Sequence, residues 1–151
     1  RRAALFAVGP ATDDEPVVSD EDLFRWLHDP DEGVRRVCQN ALASRGRTDA
    51  DIRLGRRLTH PDPAERLDLL VDLRADDDVP DPEPWLERLA RDADPGVRAG
   101  AARVAVEVAA ERRQSIPPWV ERLAADDPEP TVRRVAGFYR AAAAARTESE
   151  V

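Results

Sequence analysis

The apolar and polar positions of this chain repeat one pattern: a short amphipathic helix, a polar corner and a second amphipathic helix. The pattern is clearest from Trp85 to Ala110. Trp85, Leu86, Leu89 and Ala90 share one helical face, Asp94-Pro95-Gly96 makes the corner, and Val97, Ala101, Val104 and Val108 fall on one stripe. Helices this short do not persist alone in water, so each must bury its stripe against a neighbour.

The same reading applies along the chain. Arg1 to Val8 reads as the second helix of a unit whose first half is missing, stopped by Gly9-Pro10, and residues 10–18 are a polar linker. Ser19 caps a helix running to His28 with Leu23, Trp26 and Leu27 inward and acidic residues in its first turn. Asp29-Pro30-Asp31-Glu32-Gly33 is the corner. Val34, Val37, Cys38 and Ala41 then line a helix that Gly46 ends. Thr48 caps a helix bearing Ile52, Gly55 and Leu58, and His60-Pro61-Asp62-Pro63 turns into one bearing Leu67, Leu70 and Val71. This second unit is the most degenerate: no Val-Arg pair follows its corner, and its register can be drawn in more than one way. An acidic linker, Asp76 to Pro80, precedes the third unit. The fourth echoes the third, Pro118-Trp119-Val120-Glu121-Arg122-Leu123-Ala124 against Pro84-Trp85-Leu86-Glu87-Arg88-Leu89-Ala90, with Val132, Val135, Ala136 and Tyr139 inward.

Val34, Val97 and Val132 mark equivalent points, 63 and 35 residues apart, which gives a period of about 32 to 35 residues, inside the range of helical solenoids. The expectation is an all-α chain forming a single domain over 1–151, with a half repeat at 1–9 and repeats at 19–46, 48–75, 81–111 and 115–146. A chain that opens inside a helix pattern without Met reads as a piece of a longer protein.

Composition sharpens this picture. Of 151 residues, 42% are hydrophobic, 36% charged and only 5% aromatic, a profile of packed, solvated helices rather than of a β-sandwich or a disordered chain. The net charge of −8 repels phosphate backbones, which disfavours nucleic acid as a partner. Cys38 is the only cysteine, which excludes an internal disulfide and a thiolate zinc site and leans towards a reducing, cytoplasmic setting. No apolar run reaches the roughly 20 residues that span a bilayer, so no membrane role is expected.

The repeated residues resemble HEAT-like repeats, particularly the short bacterial kind found in phycobiliprotein lyases. The resemblance rests on Leu27-His28-Asp29-Pro30 to Val34-Arg35, on Asp92-Ala93-Asp94-Pro95-Gly96-Val97-Arg98 and on Asp127-Pro128 to Val132-Arg133. It implies a right-handed α-α superhelix of about four hairpins. It also implies that corner aspartates and the following arginines form a ladder between neighbouring repeats, which assigns Arg35, Arg98 and Arg133 to structure.

Candidate chemistry is sparse. His28 and His60 sit at matching corners, which helix packing sets on the order of 10 Å apart, too far to share a metal without other ligands. Both read as surface histidines near helix ends. Asp13-Asp14-Glu15, Asp76-Asp77-Asp78 and Asp126-Asp127 lack the ligand alternation of a calcium loop and read as caps and turns. No nucleophile triad, phosphate loop or carboxylate pair is present, so no catalytic residue, metal or cofactor is expected. The outward row of the second helices, Arg36, Asn40, Leu69, Leu73, Arg103, Val106, Arg134 and Phe138, with Ala99 between, reads as a shallow apolar groove with basic edges, suited to an amphipathic or acidic peptide. The expected role is a protein-interaction or scaffolding segment binding a partner on that face. The alternatives are nucleic-acid binding through Arg36, Arg103 and Arg134, and a module attached to an enzyme of the bilin-lyase type.

Overall fold

The computed structural model describes residues 18–75, 79 and 81–149, with side chains through 146. The expected half repeat at 1–9 and most of the two linkers lie outside the described residues. These hold eight helices and no strand: α1 (Asp20–Trp26), α2 (Glu32–Ser44), α3 (Asp49–Leu58), α4 (Pro63–Ala75), α5 (Glu83–Leu89), α6 (Pro95–Glu111), α7 (Pro118–Asp126) and α8 (Pro130–Ser149). No helix among them is long and apolar enough to cross a membrane. They fall into two compact units, divided between Asp62 and Pro63.

In the unit that ends at Asp62, each described helix starts with its own cap. Ser19 Oγ accepts the Asp22 N–H at 3.1 Å, Asp31 accepts from Gly33 and Val34, and Thr48 and Asp51 form a reciprocal capping box. The core is Leu23, Phe24, Leu27, Val34, Cys38, Ala41 and Leu42, with Val18 and with Trp26 and Ile52 packed against it. Phe24 lies against α3, and Gly55 admits it: a Cβ there would stand 2.3 Å from Phe24 Cε1. Val37, expected inward, is exposed, because the buried stripe of α2 runs 34, 38, 41, 42. Asp20 receives Arg45 at 2.8 Å and Arg47 at 2.6 Å. Burial opposes its charge, but the two arginines together hold its carboxyl below the ordinary value.

In the unit from Pro63 on, α4 packs on α6, α5 on α6, and α6 and α7 on α8. Val97, Ala101, Ala102, Val104, Ala105, Val106, Val108 and Ala109 are all buried, so α6 is its central helix. Leu86, Leu89, Ala90, Trp119, Val120, Val132 and Ala136 close around it. The register of α4 departs from expectation. Leu69, Leu70 and Leu73 are buried, whereas Leu67 is 39% and Val71 59% exposed. Leu67, Leu69, Leu70, Val71 and Leu73 spread over a broad arc of this helix and leave only Glu65, Asp68 and Asp72 on a narrow polar side, so periodicity alone leaves its rotation open. Contact with α6 sets it, since a Cβ on Gly100 would lie 2.7 Å from Leu70 Cδ1.

Candidate functional site

A repeated rung defines the corners. Arg98 places Nε and Nη2 on the Asp127 carboxylate at 2.8 and 2.9 Å, while its Nη1 donates to the Asp92 and Ala93 carbonyls of its own corner. Arg66 holds Asp92 in the same way, at 2.7 and 2.8 Å. Arg35 and Arg133 make the own-corner half, through Nη1 to Asp29 and Pro30 and to Asp127 and Pro128. Each corner aspartate also accepts the N–H two residues on: Asp29 from Asp31, Asp92 from Asp94, Asp127 from Glu129. The Arg98 hydrogen bonds hold the Asp127 carboxyl below its ordinary value against the opposing effect of burial, and Asp127 raises Arg98 in return.

Arg66 is the rung residue that sequence reading passed over. Glu65 replaces the valine that marks this point elsewhere, which hid it. The spacing that finds it is Pro63-x-x-Arg66, the same as Pro95-x-x-Arg98 and Pro130-x-x-Arg133. It aligns His60 with Asp29, Asp92 and Asp127, and His60 Nδ1 takes over the corner duty by accepting the Asp62 N–H at 3.2 Å.

The His28 and His60 rings approach edge-on with centroids 5.1 Å apart, half the separation expected from helix packing, and both are half-buried rather than on the surface. The reason is local: the His28 ring turns inward so that Nε2 donates to the Arg56 carbonyl at 2.8 Å. Burial lowers the His28 pKa, the Arg56 carbonyl bond opposes this, and electrostatic repulsion from the neighbouring His60 and Arg56 lowers it further. Among the described residues no cluster of three or more His, Cys, Asp or Glu could hold a metal ion. The Cys38 thiol is fully buried and pushed up to about 11 by burial and by the Asp29 charge, so it is a packing group rather than a nucleophile.

Three residues of the row drawn from sequence do not line an open groove. Leu69, Leu73 and Val106 are wholly buried, because α4 and α6 turn these positions towards neighbouring helices. Arg36 pairs with Glu32 at 2.8 Å and Asn40 is exposed on α2. Arg103 stands 4.0 Å from Glu107. Only Arg134 and Phe138, one turn apart on α8, form an exposed basic and aromatic pair, Phe138 being 66% exposed.

A concave site lies elsewhere in the same unit. The end of α6, the 112–117 loop and the second half of α8 enclose a cleft of about 860 Å³, within the ordinary range of ligand sites. Ala109, Ile116 and Ala141 give it an apolar wall, and Arg113, Arg140 and Arg146 surround it, with Glu121 the one acid among the described residues that line it. Arg113 has φ 54°, the one left-handed non-glycine among the described residues. It is the residue after the C-cap of α6, where Gln114 N–H returns to Ala109 O and Arg113 N–H to Ala110 O. The corresponding residue of α2 is Gly46, at φ 80° with matching bonds to Leu42 and Ala43. A side chain in this conformation costs roughly 1 kcal/mol relative to glycine, so the cleft holds a cation that the helix terminus does not need. Among the described residues none pairs with the guanidinium of Arg113, Arg140 or Arg146. Set beside known proteins, the chain matches no family model, no curated protein and no solved structure.

Proposed function

We propose that the chain is a helical-repeat interaction module of the HEAT-like kind, and that the cleft between α6 and α8 receives an acidic, amphipathic segment of a partner protein. One observation carries the reading. In a chain of net charge −8, three arginines that pair with no carboxylate among the described residues meet at one apolar cleft, one of them in a backbone conformation that favours glycine. An acidic helix with an apolar face would place carboxylates on Arg113, Arg140 and Arg146 and its apolar stripe on the alanine wall. Arg134 and Phe138 lie on α8 as a further exposed pair for the same partner. The repeated Arg-to-corner rungs support the HEAT-like superhelical reading, since they tie consecutive corners in one fixed sense.

Panning a random peptide display library against the chain tests this. Selected peptides should carry Asp or Glu at helical spacing beside an apolar stripe, and Arg113→Gly, Arg140→Gln and Arg146→Gln should each weaken them. Enrichment of uncharged or basic peptides, or binding indifferent to all three changes, would sink the reading.

A further inference from the structure

We propose that the corner headed by His60 is a binding site for a phosphate oxyanion, held between the outer edge of the Arg35 guanidinium and the His60 ring, where the corners at Asp92 and Asp127 carry a carboxylate of the chain itself. The site lies in the unit that ends at Asp62 and does not rest on the cleft.

A rung arginine has two working edges. Arg98 places Nη1 on the Asp92 and Ala93 carbonyls of its own corner, at 2.9 and 3.1 Å, and this anchor aims Nε and Nη2 at the Asp127 carboxylate. Arg35 is anchored alike, with Nη1 at 2.8 and 2.9 Å from the Asp29 and Pro30 carbonyls. Its Nε and Nη2 are thereby held towards the corner at His60, half-buried, and among the described residues no carboxylate pairs with them.

The two kinds of corner return different groups. Asp127 accepts the Glu129 N–H and still has oxygen for Arg98, because a carboxylate carries about four acceptor sites. His60 accepts the equivalent N–H, that of Asp62, through Nδ1 at 3.2 Å. A neutral imidazole that accepts through Nδ1 carries its proton on Nε2, so this corner offers N–H where the others offer oxygen. The rung here sets donor against donor, and an acceptor from outside the chain completes it. The local charge selects an anion for that place. Arg56 stands close enough to repel a proton from His28, whose ring lies 5.1 Å from that of His60. Of the carboxylates adjoining the two histidines in sequence, Asp29 is turned to the Asp31 N–H at 2.9 Å and Asp62 is exposed. A phosphate can set two oxygens on the guanidinium edge and a third on the imidazole, whereas a carboxylate has no third.

His28 and His60 are the only histidines in the chain, so their Cε1 proton signals report on this corner alone. Inorganic phosphate titrated into the full chain at constant ionic strength and about pH 7.5, where both rings are neutral, should move the His60 signal with saturation in about the millimolar range. Acetate should bind roughly tenfold more weakly. Phosphoserine binding tighter than inorganic phosphate would make a phosphorylated side chain the source of the oxyanion, and the reverse order would make it free phosphate. Arg35→Gln should weaken phosphate roughly tenfold. His60→Asp leaves Arg35 in place and fills the site with a carboxylate, so the phosphate response, read at His28, should vanish. No saturable shift with phosphate, or one of the same affinity in His60→Asp, overturns the proposal. Neither result bears on peptide binding in the cleft, which no histidine lines.

Discussion

Replacing Arg98 by Met probes the rung chemistry most directly. The Asp127 side chain is 2% exposed and that of Arg98 12%, so this pair is buried rather than superficial. Met fills much of the space but leaves the Asp127 carboxylate with the Glu129 N–H as its remaining described hydrogen bond, and leaves the Asp92 and Ala93 carbonyls without the donor they had. Breaking a buried pair from one side costs roughly 3–5 kcal/mol. The Glu129 bond and the nearby Arg133 charge place the expected loss at the low end, about 3 kcal/mol. That is a large part of a domain stability of order 5–15 kcal/mol. The pH dependence has a definite sign. Asp127 is depressed from 3.8 in the fold, so its charge contributes stability above that value and the contribution is lost as pH falls below it. Without Arg98, burial raises the same carboxyl, which then takes up a proton instead of remaining a lone buried charge. The cost of Arg98→Met should therefore shrink between pH 7 and about pH 4. Adding Asp127→Asn should recover part of it at pH 7, with a coupling energy of about 2 kcal/mol. Urea unfolding followed by tryptophan fluorescence measures this in a Trp26→Phe background, which leaves Trp85 and Trp119, both in the unit that begins at Pro63. A loss below about 1 kcal/mol at pH 7, or one unchanged by pH, would refute the assignment of the rung as a buried, load-sharing ion pair.

Other perturbations separate local effects. Arg113→Gly relieves the left-handed strain and should raise stability by up to about 1 kcal/mol in thermal or urea melts, while weakening acidic-peptide binding; a destabilised variant would contradict the C′ assignment. Gly55→Ala sets a methyl 2.3 Å from a rigid, fully buried ring atom, and Gly100→Ala sets one 2.7 Å from the far end of a leucine. The first should cost about 2 kcal/mol net of helix propensity and the second under about 1, an order that melting temperatures would reveal. His28 is lowered in the fold, so its neutral form contributes stability above the unfolded value of 6.5 that is lost as pH falls through the folded midpoint; NMR titration should find that midpoint below 6.5. His60→Asp should give Arg35 a corner carboxylate, raise the His28 midpoint and add roughly 0.5 kcal/mol at neutral pH; an unchanged midpoint would speak against the ring contact.

How much was legible in the sequence depended on which interaction decides each element. Helix starts were readable because one residue sets them: Ser19 and Thr48 cap where expected, and Gly46 ends α2 in the left-handed turn that favours it. Faces were readable where a helix has a polar side, as in Leu86, Leu89, Val97 and Ala101. They were not readable in α4, where leucines point in several directions and only the close approach allowed by Gly100 chooses Leu69, Leu70 and Leu73. Leu69 and Leu73 left the expected row for the same reason, since their places came from an α4 register that contact with α6 overrides, and Val106 is buried as well. The cleft was hidden differently. Arg113 gives no local signal of a left-handed residue, and Arg140 and Arg146 meet it only because α8 packs on α6.

The degenerate second repeat has a physical meaning that neither periodicity nor composition discloses. At its corner His60 stands in the aspartate position, so the Arg35 rung lacks the carboxylate that Asp92 supplies to Arg66 and Asp127 to Arg98. The division of the chain into two compact units falls two residues beyond His60. Two intact rungs lie wholly inside the second unit, and the position where the rung is lost lies at the edge of the first. A buried guanidinium–carboxylate pair fixes the spacing and angle of the corners it joins, through two parallel hydrogen bonds. A neutral imidazole can cap the turn through Nδ1 but cannot return the fork. The same substitution that obscured the repeat in the sequence thus leaves Arg35, among the described residues, with the carbonyls of its own corner and no carboxylate of the next, and sets the His60 ring against that of His28.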